Sequence, residues 1–223
     1  MMTAVLFDLY ETLVTERGTN PVRASTLGPR LGLDPGAFRT AWRSRRPRVL
    51  RGQLSFAGAL TDVGTELGQP IDPAVVQELC ADRVREKSVL FDHLDPDAVA
   101  VVRHLSGRGV RVAVVSNCFA EDVEAWPGCA IAPFVDAPVF SFDCGAAKPE
   151  PEIYLEALRR LGVDCRRAAF IGDGGDDELL GAARVGLRPA QASWFRGEIA
   201  ALPAHIPRLS SWKAVIQFVM GSR

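Results

Sequence analysis

The chain has few cysteines and few histidines for its 223 residues, and neither type falls into a recognisable pattern. The cysteines are odd in number, no two of them form a C-x-x-C pair, and the three histidines add no metal-ligand spacing. These are Cys80, Cys118, Cys129, Cys144 and Cys165, with His93, His104 and His205. This pattern shows no metal-ligand spacing and predicts reduced thiols in a cytoplasmic protein, while the chain length excludes a small disulfide-stapled fold.

An excess of charge is also missing, since 26 Lys and Arg stand against 27 Asp and Glu for a net charge of -1. Nothing global therefore attracts the chain to nucleic acid or to an anionic membrane, and we expect neither as a partner. The apolar N-terminal run is short, lacks a basic region and meets Asp8 at once, and no other run approaches the ~18 apolar residues of a membrane span. We expect a soluble, cytoplasmic protein that is a monomer or a homodimer.

Three short apolar runs each lead directly to a polar residue. They are residues 4–7 before Asp8, 110–115 before Ser116, and 168–171 before Gly172 and Asp173. Apolar runs without polar alternation predict strands that are covered on both faces, as in a parallel sheet. Because ligands bind at the carboxyl ends of such strands, we expect Asp8, Ser116 and Asp173 to meet at one edge of the sheet.

Helical patterns fill most of the remaining chain. From residue 97 onward, helical segments at 97–108, 150–161 and 178–185 alternate with strands, which predicts an α/β fold with a Rossmann-like parallel-sheet core. Residues 187–219 are predicted to add a strand or two and a last helix around 212–218. Residues 15–91 hold few β-type runs and several helical segments, at 35–46, 55–67 and 73–88. We therefore predict a small helical cap domain there and a core of residues 1–14 and 92–223.

The predicted edge of the sheet combines two acids, a hydroxyl and the cation of Lys148, which precedes Pro149. Two converging carboxylates repel each other, and a divalent cation relieves that repulsion. Oxygen ligands alone favour Mg²⁺, which often shares its coordination shell with a phosphate. Phosphoryl transfer to a carboxylate nucleophile is a chemistry that fits these groups.

Four segments, in this order, resemble the motifs of the haloacid dehalogenase superfamily. They are Phe7-Asp8-Leu9-Tyr10-Glu11-Thr12-Leu13, Val114-Val115-Ser116-Asn117, Ala147-Lys148-Pro149-Glu150-Pro151-Glu152-Ile153-Tyr154 and Ile171-Gly172-Asp173-Gly174-Gly175-Asp176-Asp177. The helical segment after the first strand is similar to the small cap of that family. The resemblance implies a Mg²⁺-dependent hydrolase that acts on a small phosphorylated substrate through an aspartyl-phosphate intermediate.

The same resemblance implies a role for each site residue. Asp8 would be the nucleophile, while Lys148, the hydroxyl of Ser116 and the backbone amide of Asn117 would contact the phosphoryl oxygens. The ligands of Mg²⁺ would be Asp8, the carbonyl of Tyr10 and Asp173. Asp177 matches the second acid of the fourth motif and would orient a metal-bound water, with Asp176 and Glu178 as alternatives.

Tyr10 departs from the pattern of the family's phosphatases, which carry there a second Asp that protonates the leaving oxygen. Tyrosine at this position resembles the branch that dehalogenates 2-haloacids without a metal. The acids Asp173, Asp176 and Asp177 favour metal-dependent phosphate chemistry instead. A catalytically weak member that serves as a binding or regulatory module is the remaining alternative.

The densest charge run of the chain lies in the predicted cap and holds five arginines, namely Arg43, Arg45, Arg46, Arg48 and Arg51. Such a run is consistent with a solvated helix end. The alternative is that one or two of these guanidinium groups reach into the cleft and bind an anionic part of the substrate. Phe38 and Trp42, close by, are predicted to belong to the core of the cap.

Overall fold

The computed structural model describes residues 2–17, 24–195 and 202–221. Within these residues the chain forms a six-stranded, fully parallel sheet in the order β3-β2-β1-β4-β5-β6. The strands are β1 (Ala4–Phe7), β2 (Arg111–Ser116), β3 (Ala137–Phe140), β4 (Ala168–Gly172), β5 (Arg188–Ala192) and β6 (Arg208–Leu209). The predicted α/β fold with a Rossmann-like parallel sheet is confirmed.

Helices occupy most of the remaining described chain. They are α1 (Ala24–Arg30), α2 (Pro35–Leu50), α3 (Phe56–Glu66), α4 (Pro73–Asp92), α5 (Pro96–Gly107), α6 (Ser141–Cys144), α7 (Pro151–Leu161), α8 (Glu178–Arg184) and α9 (Trp212–Met220). Three of them begin in the same way: Asp34, Asp72 and Asp95 each accept a hydrogen bond from a backbone amide of the first turn, and a proline follows. This Asp-Pro start satisfies an orphan amide and fixes the entry of the helix.

The core lies on both faces of the sheet, because β1 is buried on both sides. Val5 and Phe7 pack with α5 and α9 on one face. Ala4 and Leu6 pack with α7 and α8 on the other. This double cover is the reason that the strands read as unbroken apolar runs.

The three core strands and the helices that were predicted from their patterns are present, with ends that differ by a few residues. The last helix and the additional strands of the C-terminal part are also present. β3 was not predicted, and α2 continues through Pro47 to Leu50 rather than ending at 46. The domain boundaries at 14/15 and 91/92 stay a prediction, although α1 to α4 do lie between β1 and α5.

Helices α1 to α4, called the helical segment below, enclose a hydrophobic cluster of their own. Phe38, Trp42 and Phe56 are buried in it, as predicted for the first two. The cluster also takes in Phe119, which follows β2 in the sheet part of the chain. Its ring lies 5.8 Å from that of Phe56 and 6.1 Å from that of Trp42. An aromatic side chain of the sheet part therefore completes the core of the helical segment.

A second contact between the helical segment and the sheet part follows α2. Gly52 has a φ of +64°, and a Cβ at this position would overlap the carbonyl oxygen of Phe142. The neighbouring Arg51 forms an ion pair with Glu150, two residues after Lys148. Only glycine combines this backbone conformation with so close an approach.

All five cysteines are free, and Cys118 and Cys129 are buried. None of the helices in the described part of the chain is both long and apolar enough to cross a membrane.

Candidate active site

The register of the sheet brings the predicted polar residues to one edge. Phe7 of β1 lies opposite Val114 of β2 and Ile171 of β4, so the residues that follow these strands emerge side by side. Asp8, Ser116, Lys148 and Asp173 are buried at this edge and line one pocket with a volume of about 250 Å³. Glu178 lines the same pocket.

Lys148 is the charge centre of the pocket. Its ammonium donates hydrogen bonds to Asp8 Oδ1 and, at 2.5 Å, to Glu178 Oε2, and all three side chains are buried. Burial by itself lowers the pKa of Lys148, but the two carboxylates outweigh it and the pKa lies above its usual value. The site therefore contains a permanent, immobile cation.

Asp8 is fixed at both carboxylate oxygens. Lys148 bonds to Oδ1, and the hydroxyl of Thr12 donates to Oδ2 over 3.1 Å. The backbone amide of Asp8 donates to the carbonyl of Ile171 at 2.8 Å, which continues the pairing of β1 with β4. Burial raises the pKa of the Asp8 carboxyl, and the charge of Lys148 opposes that rise.

Asn117 has a contact that the motif did not predict. Its side-chain amide donates to the Lys148 carbonyl at 2.9 Å, and its side-chain oxygen accepts from the Lys148 amide at 2.7 Å. This paired contact ties the end of β2 to the backbone that carries the lysine. The backbone amide of Asn117 stays the predicted phosphoryl contact.

Three carboxylates form a cluster that suits a cation. One oxygen from each of Asp8, Asp173 and Glu178 lies within 4.8 Å of the others. Burial, together with the charge of Asp8, raises the pKa of Glu178. Three buried acids and one lysine leave an excess of acidic groups, and this all-oxygen donor set fits Mg²⁺.

The three acids differ in how their oxygens are used. Glu178 accepts from Lys148 at one oxygen and from the Gly174 amide, at 3.0 Å, at the other. Asp173 Oδ1 accepts from the Gly175 amide at 2.8 Å. Both oxygens of Glu178 are therefore hydrogen-bonded, as are both oxygens of Asp8.

The second acid of the fourth motif is where sequence and structure differ. Asp176 and Asp177 have φ values of 51° and 53°, and both are exposed. Asp177 does not line the pocket, whereas Glu178, which begins α8, points into it. The motif spacing favours Asp177, but two successive left-handed residues shift the chain by one position and bring in the alternative, Glu178.

Tyr10 lines the pocket, but its hydroxyl is engaged elsewhere. The phenol donates to the carbonyl of Asp122 at 2.6 Å, and the Lys87 ammonium lies 4.1 Å from the centre of its ring. Burial, with the nearby charge of Asp122, raises the pKa of Tyr10 well above its usual value of 10. The hydroxyl is thus poorly suited to protonate a leaving group, and the role of the Tyr10 carbonyl stays a prediction.

The arginine run of α2 does not reach the pocket. Arg45 pairs with Glu66 at 2.6 Å, and Arg51 pairs with Glu150. Arg43, Arg46 and Arg48 are exposed. Since no arginine is among the pocket-lining residues in the described part of the chain, the structure favours a solvated helix face over a substrate contact.

Comparison with known proteins shows that the chain is similar to hydrolases. Residues 2–186 match the haloacid dehalogenase-like hydrolase family. A glyceraldehyde 3-phosphate phosphatase of Methanopyrus kandleri is 34% identical over 95 residues, which are 41% of this chain and 40% of that protein. An (S)-2-haloacid dehalogenase 4A of Burkholderia cepacia is 26% identical over 83% of this chain and 80% of that protein.

The match to the first of these relatives spans less than half of that protein's length. Among solved structures, a HAD phosphatase from Thermococcus onnurineus superimposes with a TM-score of 0.68 at 20% identity, and all of both chains is covered. At this level of identity the likeness establishes the fold.

Proposed function

The chain belongs to the haloacid dehalogenase-like hydrolases, and from this membership we infer that it is a Mg²⁺-dependent phosphatase of small phosphorylated metabolites that acts through an aspartyl-phosphate on Asp8. The observation that carries the proposal is the buried cluster of Asp8, Asp173 and Glu178 around Lys148. This cluster combines a fixed nucleophile, a fixed cation and an oxygen donor set for a metal. The pocket volume of about 250 Å³ suits a small substrate.

In the proposed reaction an oxygen of Asp8 attacks phosphorus, and the bond between phosphorus and the ester oxygen breaks. Lys148, the Ser116 hydroxyl and the Asn117 amide hold the phosphoryl oxygens. Asp8, Asp173 and the Tyr10 carbonyl would hold Mg²⁺, whose charge offsets the negative charge of the transferring group. Water then attacks the phosphorus of the aspartyl-phosphate, which releases phosphate and restores Asp8.

Dehalogenation of a 2-haloacid is the second candidate. Tyr10 favours it, and a dehalogenase is among the relatives. The excess of buried acids supports the phosphatase, because attack on carbon needs no metal ligands. The presence of Asp8, Ser116, Lys148 and Asp173 in one pocket likewise supports an enzyme over a binding or regulatory module.

The candidates are separated by measuring two products from the same purified protein. We expect phosphate release from p-nitrophenyl phosphate in Mg²⁺, loss of that release in excess chelator, and recovery when Mg²⁺ is restored. We expect no halide release from 2-chloropropionate. Halide release that is unaffected by chelator, without phosphate release from any ester, would establish the dehalogenase instead.

The environment of Tyr10 predicts a preference for esters with good leaving groups. A general acid is worth ~10² to 10⁴ in rate, and the phenol that replaces it is bound to Asp122. Aryl phosphates should therefore exceed alkyl phosphates in kcat/KM by at least about 10², because an aryl oxide leaves without a proton.

Two substitutions test whether the Tyr10 phenol protonates the leaving group. Tyr10→Asp should lower the ratio of kcat/KM for aryl phosphates to kcat/KM for alkyl phosphates, since it supplies a carboxyl group that can protonate the leaving oxygen. Tyr10→Phe should leave the ratio unchanged, because it removes only the hydrogen bond to Asp122. A selective loss of alkyl-phosphate turnover in Tyr10→Phe would show that the phenol does donate the proton.

A further inference from the structure

We propose that Glu16, held by Lys87 of the helical segment, determines the charge of the leaving group that the pocket accepts. Esters with a neutral or cationic leaving group are accepted, and esters that carry a second anionic group are rejected. This inference rests on the proposed phosphatase function and specifies its substrate class.

Among the residues that the structure describes, the outer wall of the pocket carries negative charge only. Apart from Glu178, which binds Lys148, and the residues whose side chains or amides are assigned to phosphoryl transfer, the described lining residues are Tyr10, Glu11, Glu16, Gly175 and Asp176. Lys148 is the single cation among the lining residues that the structure describes, and it is already paired with two carboxylates. Among these described residues, a second carboxylate or phosphate on the substrate would meet acids and no unpaired cation, and such contact between like charges disfavours binding.

Glu16 differs from the other two acids of this wall. Glu11 accepts hydrogen bonds from the Thr15 hydroxyl and, at 2.8 Å, from the Glu16 amide, so it braces the turn after β1. Asp176 is exposed, and its Oδ2 accepts a hydrogen bond from the side-chain amide of Asn117 at 3.3 Å. Glu16 is part-buried and is bound by a side chain from α4.

That side chain is Lys87, which is buried although it carries a charge. Its ammonium bonds to Glu16 Oε1 and lies over the ring of Tyr10, but Lys87 does not line the pocket. Glu16 therefore lines the pocket, whereas the Lys87 side chain that binds it does not. The positive charge of Lys87 partly offsets the negative charge that Glu16 presents to the pocket.

Two further cations of the helical segment are also engaged. Arg83 pairs with Asp122 at 2.7 Å and stacks on Phe119, and Arg51 pairs with Glu150. A substrate anion would have to break one of these two pairs to gain Arg83 or Arg51 as a partner. The charge arrangement therefore discriminates on the leaving group and not on the phosphoryl group.

The test compares three esters that share a phosphoryl group and a two-carbon leaving group: phosphoethanolamine, 2-hydroxyethyl phosphate and 2-phosphoglycolate. We expect 2-phosphoglycolate to have a kcat/KM at least about tenfold below that of 2-hydroxyethyl phosphate, because like charges at a binding site are strongly unfavourable. The difference should reside in KM and should shrink as salt is added, because exposed charges are screened. A ratio near one in the wild type would overturn the inference.

The two members of the ion pair give opposite expectations. Glu16→Gln removes the repelling charge and should lower the ratio of 2-hydroxyethyl phosphate to 2-phosphoglycolate, whereas Lys87→Met exposes that charge and should raise it. A merely structural pair would lower the activity on all three esters in both variants and leave the ratio constant. The matched control is Glu66→Gln, which breaks the Arg45 pair away from the pocket and should not move the ratio.

Failure of this inference and failure of the proposed function give different results. If p-nitrophenyl phosphate and 2-phosphoglycolate are both hydrolysed well, the protein is a phosphatase and the role of Glu16 is refuted. If no ester releases phosphate, the proposed function itself is refuted.

Discussion

Asp8→Asn is expected to lower phosphate release by at least about 10³-fold, because an amide oxygen does not replace the carboxylate nucleophile. The substitution keeps the size of the side chain, and its carbonyl oxygen can still accept a hydrogen bond from Lys148 or Thr12. The fold should therefore survive, which thermal unfolding will report. Single-turnover assays, with mass spectrometry to detect a phosphorylated protein, should show the adduct in the wild type and none in the variant.

Asp177→Asn is the matched control for this experiment. It removes one carboxylate of the fourth motif, but one that is exposed and does not line the pocket. Turnover should stay within a few-fold of the wild type. If Asp177→Asn were as inactive as Asp8→Asn, then Asp177, as the motif spacing predicts, and not Glu178 would be the second acid of the site.

Lys148→Ala is expected to reduce both activity and stability. Loss of the cation should lower kcat by about 10² to 10³, the effect of removing one donor that stabilises charge in the transition state. It also leaves the buried acids Asp8 and Glu178 without their cation, and breaking a buried ion pair in this way costs about 3 to 5 kcal/mol of unfolding free energy. Urea unfolding in chelator, where no metal replaces the missing charge, will measure this loss.

The stability difference should depend on pH in a defined direction. Burial already raises the pKa of Asp8 and Glu178, and removal of Lys148 raises both further. Acids whose pKa is raised in the folded state destabilise it when the pH is high and cease to do so once they are protonated. The difference between wild type and Lys148→Ala should therefore shrink as the pH falls, and a difference that grows would contradict the assigned charges.

Lys87→Ala provides a comparison for the stability measurement. Lys87 is also buried and paired, but its partner Glu16 has a side chain that is 24% exposed. Without Lys87, the Glu16 carboxylate can be solvated, so Lys87→Ala should lower the free energy of unfolding less than Lys148→Ala does.

Much of the site follows from local sequence patterns. Apolar runs that end at Asp8, Ser116 and Asp173 are sufficient to predict parallel strands, and parallel strands present their ends together. The short β3 was missed because its four residues include Pro138 and alternate between buried and half-buried. Proline is tolerated there because β3 is an edge strand of the described sheet.

Other parts of the site depend on contacts that no local pattern contains. The hydroxyl of Tyr10 meets a carbonyl 112 residues away, and Arg83 approaches the same residue, Asp122, from the helical segment. The identity of the second acid depends on the conformation of Asp176 and Asp177, whose positive φ values are unusual for residues other than glycine. Sequence spacing places a residue along the chain, but it does not report a reversal of backbone handedness.

The position of Phe119 has a consequence for motion. Its ring is 5% exposed and packs between Phe56 and Trp42, yet it is only three residues beyond Ser116. Lifting the helical segment from the sheet would draw this ring into water, and exposure of a buried aromatic side chain costs about 1.5 to 3 kcal/mol. A displacement of the helical segment and the conformation of the loop that carries Ser116 and Phe119 would therefore be thermodynamically linked.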